Sequence, residues 1–253
     1  MVDDRTAVVG RCRIRAVLEY DGTDFQGFQV QRSGRTIQGE IESALARITG
    51  RATRIVGAGR TDAGVHASGQ VIHFQVDWNH SLADLLRALN ASIPDDTSVL
   101  ELERAPAEFH ARYSARSREY EYTVLNDAAR SPLRERYACL FQKPLDAEAM
   151  DKACQGLGGT HDFLAFGWPP QGECTVRTVF HAGCQRSGVI VRVAIEADAF
   201  LRSMMRRIVG NLLLVGCQQL TVDQFLGLLT LGHRRTPAVA APARGLCLVR
   251  VNY

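Results

Sequence analysis

CRIRAVLEYDGTDFQGFQVQRSGRTIQGEIESALARIT, residues 12–49, passes from one hydrophobic period to another. Over residues 12–20, Ile14, Ala16 and Leu18 alternate with small polar or charged residues, the period-two pattern of a half-buried strand. After a loop, Ile37, Ile41, Leu45 and Ile48 recur at helical spacing, and Thr36 stands where an N-cap is needed, so residues 36–49 are expected to form an amphipathic helix. Outward from this strand–loop–helix come a short strand at 54–56, the turn GAGRTDAGVH, a strand at 69–76, a helix at 82–90 and a strand at 98–104. The order β-α-β-β-α-β matches the ferredoxin-like split βαβ unit, an antiparallel sheet with helices on one face and the other left free, a face many RNA binders use. The second half offers strands at 117–125, 176–186, 189–196 and 246–252, with helices at 147–156, 201–217 and 222–230. It reads as an elaborated copy in element order, with no repeat in the residues themselves. The expected organisation is two parts, 1–106 and 107–253.

Composition bounds the class without deciding it. The chain has 253 residues, 46% hydrophobic and 23% charged, enough for one large or two small globular domains. The net charge is only +3, but Lys143 and Lys152 are the only lysines, so nearly all cations are arginines. Arginine suits forked contacts to phosphate and stacking on bases, although codon bias produces the same excess. Seven cysteines, an odd number with no C-x-x-C pair, imply reduced thiols in a cytoplasmic protein. The start, MVDDRTAVVGRC, is acidic where a signal peptide is basic. The longest apolar stretch, 208–217, contains Asn211 and is too short to span a bilayer, so no membrane association is expected.

Chemistry concentrates in Gly57-Ala58-Gly59-Arg60-Thr61-Asp62-Ala63-Gly64-Val65-His66-Ala67-Ser68-Gly69-Gln70. Its four glycines let the backbone turn tightly and a flat ligand approach closely. No Lys-Ser/Thr follows them and no helix opens behind them, which excludes a P-loop. On its own, an Asp in such a turn most often bonds its own backbone. The seven histidines and the carboxylates have no compact metal-ligand spacing, which argues against a metal-dependent nuclease.

GAGRTDAGVHASGQV nevertheless resembles the catalytic motif of the tRNA pseudouridine synthase A family. Three further blocks resemble that family in the same order: EYDGTDFQGFQVQ, FHARYSARSREYEY, and ADAFLRSMMRRIVGNLLLVG followed by RGLCLVRV. The resemblance covers nearly the whole chain. It implies an α+β pseudouridine synthase fold, two ferredoxin-like (RRM-like) halves forming an extended antiparallel sheet with helices on one face and a central RNA-binding cleft. It implies an isomerase that converts uridine to pseudouridine at positions 38, 39 and 40 of the tRNA anticodon stem-loop, as a homodimer and with no metal or organic cofactor. That conversion breaks the N1–C1′ bond, turns the uracil and rejoins it through C5, which calls for a nucleophile.

By resemblance the nucleophile is Asp62, adding to the sugar C1′ or to the base C6. Arg60 positions the flipped nucleotide. Tyr120 stacks on the base and is a candidate to take the C5 proton, although a phenol titrating near pH 10 is a poor base unaided. Arg206 pairs with the nucleophile and keeps it ionised. Leu248, Gly64, His66 and Arg177 complete the expected substrate contacts. A stem uridine must leave its stack to react. Arg32, Arg35, Arg112, Arg116, Arg202 and Arg207 are the candidates to contact the RNA backbone during that flip. Three positions depart from the family pattern: Phe28 for Trp, Asp198 for Asn, and Cys247 for Tyr; Asp198 is expected to add negative charge near the site. GWPPQG, 167–172, reads as a mobile loop. The competing class is a catalytically silent RNA-binding or RNA-folding protein on the same scaffold.

Overall fold

A computed structural model describes residues 11–169, 172–230 and 240–253. Residues 1–10 of the N-terminal stretch read for a signal peptide, Pro170 and Gln171 of the GWPPQG segment, and His233 lie outside the described residues. The described residues form ten strands and five α-helices in a mixed α+β fold. They divide into two compact units, 1–116 with 248–253, and 117–247.

In the first unit β1 (Arg11–Tyr20), α1 (Ile37–Thr49), β2 (Val56–Gly57), β3 (His66–Asp77), α2 (Leu82–Ser92) and β4 (Thr97–Arg104) follow the expected order. Strand β1 lies between β4 and β3, antiparallel to both, and β2 pairs with β3. This is the split βαβ arrangement. Ile14, Ala16, Leu18 and Tyr20 are all at most 3% exposed, so the alternation marks the core face. The cap of α1 is where the sequence places it: the Thr36 hydroxyl accepts from the Gly39 N–H, and Gly50 closes the helix at φ +68. Helix α2 starts with a capping box between Ser81 and Asp84. Strand β10 (Leu246–Asn252) lies beside β3, with the backbone of Val249 close against Gly69.

The opposite face of β3 is covered where His73 stands. The buried His73 Nδ1 accepts the Ala111 N–H at 3.0 Å, and the rings of Phe109 and His110 pack against the imidazole. Burial, then the neighbouring His110 and Arg13, pushes the His73 pKa down to about 4. Both folded and unfolded forms are neutral above pH 6.5. As pH falls from 6.5 towards 4 only the unfolded chain takes the proton, so this contribution to stability is lost across that window. At 1.36 kcal/mol per pH unit the loss is about 3 kcal/mol. Urea unfolding of wild type and His73→Asn at pH 7 and pH 4.5 is expected to show a flatter pH dependence in the variant; equal slopes would exclude this origin.

The second unit carries β5 (Ser117–Leu125), β6 (Cys139–Leu140), α3 (Ala147–Gln155), β7 (Gly159–Asp162), β8 (Val176–Ser187), β9 (Ile190–Ala197), α4 (Met204–Gly216) and α5 (Val222–Gly227). Its strands run β5-β9-β8-β7, with β6 parallel to β5. Ile208, Val209, Leu212 and Leu213 of α4 are buried, as the apolar stripe requires. Among the described residues no helix is long and apolar enough to cross a membrane.

Candidate active site

Asp62 sits in the β2–β3 connection, half-buried, on a turn closed by the Val65 N–H donating to the Asp62 carbonyl at 3.2 Å. The loop of the DGTDFQGF block clasps this turn from outside. The Phe28 N–H donates to the Thr61 carbonyl at 3.1 Å, the Gly64 N–H donates to the Phe25 carbonyl at 3.3 Å, and the Tyr20 and Thr61 hydroxyls bond at 2.8 Å in a buried position. From β3, the Gln70 amide donates to the Gly59 carbonyl at 3.0 Å. The residue after Thr61 is therefore held by backbone bonds on both sides, which fixes the position of Asp62 in the turn.

Glycine is obligatory where the two loops touch. A Cβ on Gly22 would lie 2.0 Å from the Val65 carbonyl oxygen, and one on Gly27, at φ +96, would lie 2.8 Å from that of Thr61. His66 completes the clasp. Its Nδ1 lies 3.0 Å from the Gly22 nitrogen and 3.1 Å from Asp21 Oδ1. One ring nitrogen either accepts from the amide or donates to the carboxylate, so the tautomer decides which bond is made. Asp21 also accepts from the Thr23 N–H and hydroxyl. The expectation for His66 was a substrate contact; it is 5% exposed and engaged with the neighbouring loop.

Of the other expected site residues in this unit, Arg60 is exposed, Gly64 has φ +76, and Leu248 is fully buried in β10. Arg32 and Arg116 are exposed and Arg112 half-exposed. Arg35, expected to contact RNA, differs: its guanidinium forks onto Asp96 at 2.5 and 2.8 Å, its Nε donates to Glu40, and it lies over the Phe25 ring. These carboxylates raise its pKa, and three of its five N–H donors hold the clasping loop. Tyr20, Asp21, Gly22, Thr61 and Gln70 were absent from the expected site; the signal for the first three was the EYDGT block itself, and Thr61 and Gln70 lie within the catalytic-motif block.

The second unit holds Tyr120, Arg177, Arg202, Arg206 and Arg207. Tyr120 is on β5, opposite Ile195, 8% exposed, with its ring edge-on to Phe200 at 4.8 Å. Arg206, in the first turn of α4, donates from Nε to the Ala241 carbonyl at 2.7 Å, and Ala241 N–H returns a bond to the Arg206 carbonyl. Arg207 lies over the Trp168 ring at 4.5 Å, and Arg202 pairs with Trp168 through the backbone. Arg177 donates to the carbonyls of Cys174 and Val176. The Asp198 carboxylate accepts the N–H groups of Thr178 and Ala199, and the buried Arg118 donates to the Asp198 carbonyl. The extra charge of that departure is thus met by local backbone dipoles.

A half-buried, Asp-bearing turn held against an antiparallel β-sheet by the neighbouring loop, on a split βαβ scaffold, is the arrangement shared with one class of RNA-modifying enzymes. The family profile described as tRNA pseudouridine synthase matches residues 16–114 and 153–253. Proteins named tRNA pseudouridine synthase A are similar over most of their length. The one from Roseiflexus castenholzii is 45% identical over 240 residues, 93% of this chain and 88% of its own. That from Chloroflexus aurantiacus is 45% identical over 249 residues, 95% and 88%. That from Brevibacillus brevis is 41% identical over 242 residues, 95% and 99%. The chain belongs to the tRNA pseudouridine synthase family.

Proposed function

We propose that this chain isomerises uridine to pseudouridine in tRNA, at positions 38, 39 and 40 of the anticodon stem-loop. The observation that carries the reading is the braced Asp62 turn within a family match that spans both units. Asp62 is the nucleophile. Its carboxylate adds to C1′, displacing N1, or to C6; the N1–C1′ bond breaks, the uracil turns, C5 bonds to C1′, and the bond from Asp62 to C1′ or C6 breaks to return the free carboxylate. The C5 proton is lost and N1 takes one up, so the reaction is balanced and needs no oxidant or metal. Arg60 steers the flipped nucleotide, Tyr120 and Leu248 pack on the base, Gly64 lets it come close, and Arg206 favours the ionised nucleophile. Arg32, Arg112, Arg116, Arg202 and Arg207 supply phosphate contacts.

We further propose that the enzyme acts as a homodimer in the cytoplasm. Its seven unbridged cysteines support a reducing compartment. The test is release of tritium from tRNA labelled at C5 of its uridines, without added metal or cofactor. Release at one equivalent per pseudouridine formed is expected. A folded chain that binds tRNA and releases none would be the silent RNA-binding protein instead.

A further inference from the structure

Residues 109–114 build a surface feature centred on Tyr113, a side chain that the bond-making steps of the isomerisation do not use. Tyr113 is 71% exposed, yet its ring is stacked on His110 at 4.3 Å and 28°. His110 in turn packs on the buried His73 at 4.8 Å. The mounting is rigid. The N–H groups of both Arg112 and Tyr113 donate to His110 Nδ1 at 3.2 Å, and the His110 N–H donates to the Ser114 hydroxyl at 3.0 Å. Below them Arg13 donates to the Phe109 carbonyl at 2.7 Å and the Tyr253 hydroxyl to that of Ala111 at 2.7 Å. Burial and the cations Arg13 and Arg112 lower the His110 pKa, which keeps the ring neutral and able to accept those bonds. The guanidinium of Arg112 stands 5.6 Å from the Tyr113 ring centroid, and the exposed Arg116 follows three residues on.

We propose that Tyr113, stacked on His110 with the Arg112 guanidinium beside its ring, is a stacking platform for an unpaired nucleobase of the tRNA. This rests on the tRNA reading given above. An aromatic face offered to solvent with a cation beside it is complementary to a base carrying its own phosphate, and stacking of this kind accepts any base. A paired base keeps both faces inside its helix, so the partner is a loop nucleotide or one unstacked by the flip. Because the ring is held before RNA arrives, little ordering entropy opposes the contact.

The test compares wild type, Tyr113→Ala and Tyr113→Phe for binding of an anticodon stem-loop RNA and for tritium release. Tyr113→Ala is expected to raise Kd and KM roughly tenfold, within the roughly 5- to 150-fold span of base–aromatic stacking. Its kcat and the salt dependence of Kd should match wild type, since no phosphate contact is removed. Tyr113→Phe should bind as wild type. Equal Kd for wild type and Tyr113→Ala would overturn the proposal. So would a shift of Tyr113→Ala from dimer to monomer by sedimentation with Kd restored at high protein concentration, which would make the ring a contact between copies. Binding is read without turnover, so an inactive wild type would count against the isomerase reading alone.

Discussion

Asp62→Asn is expected to abolish tritium release, by on the order of 10,000-fold or more, the scale seen when a nucleophile is removed from an intact site. The substitution is nearly isosteric. The turn bond at position 62 uses its carbonyl, and the clasp uses Thr61, Gly64 and Gly59, so an asparagine leaves these bonds in place. What disappears is the charge and the attacking oxygen pair. Affinity for tRNA should not fall, because a negative charge facing RNA is lost. Asp62→Ala guards against recovery of aspartate by deamidation, and both variants should unfold at the wild-type temperature. Release above a thousandth of the wild-type rate from Asp62→Ala would show that another group is the nucleophile.

Gly22→Ala is expected to lower kcat/KM at least about a hundredfold while the chain still folds. Its methyl would stand 2.0 Å from the Val65 oxygen and 2.5 Å from the Val65 carbonyl carbon, both backbone atoms that no rotamer change can move. Relief requires the 62–66 turn or the 21–27 loop to shift by about 1 Å, and displacement of that size commonly costs about 100-fold in rate. Overpacking adds about 1–3 kcal/mol of destabilisation. Gly50→Ala is the control. It also places a methyl on a glycine, at φ +68, but meets nothing within 4 Å, so it should cost about 1 kcal/mol of stability and no activity. Wild-type kcat/KM in Gly22→Ala would mean that the clasp does not position Asp62.

Periodicity carried the first unit well because its signals are local. The Thr36 cap, the alternation through Leu18 and the capping of α2 depend on residues within a turn or two of one another. β6 and β7, of two and four residues, contain no period to detect, whereas the equally short β2 is marked by the Gly-rich turn that follows it. The boundary drawn at residue 106 differs from the division after 116 for a related reason. Segment 105–116 belongs with the first unit through His73 and Arg13, partners 38 and 96 residues distant. The turn that carries Asp62 was legible as a Gly-rich connection between two strands. The Asp21–Gly22–His66 clasp and the Asp96 partner of Arg35 are made by tertiary pairing, which no local pattern reports.

Strand β10 lies beside β3 of the first unit, yet all of the second unit is translated between them. On the ribosome β3 must therefore wait with an edge paired only by the two residues of β2, and such edges invite pairing with other nascent chains. The fold of the Asp62-bearing unit is complete only after residues 248–253 have emerged. Chains terminated before residue 248 thus cannot assemble the full sheet beside the Asp62 turn, which ties completion of that unit to translation through the second.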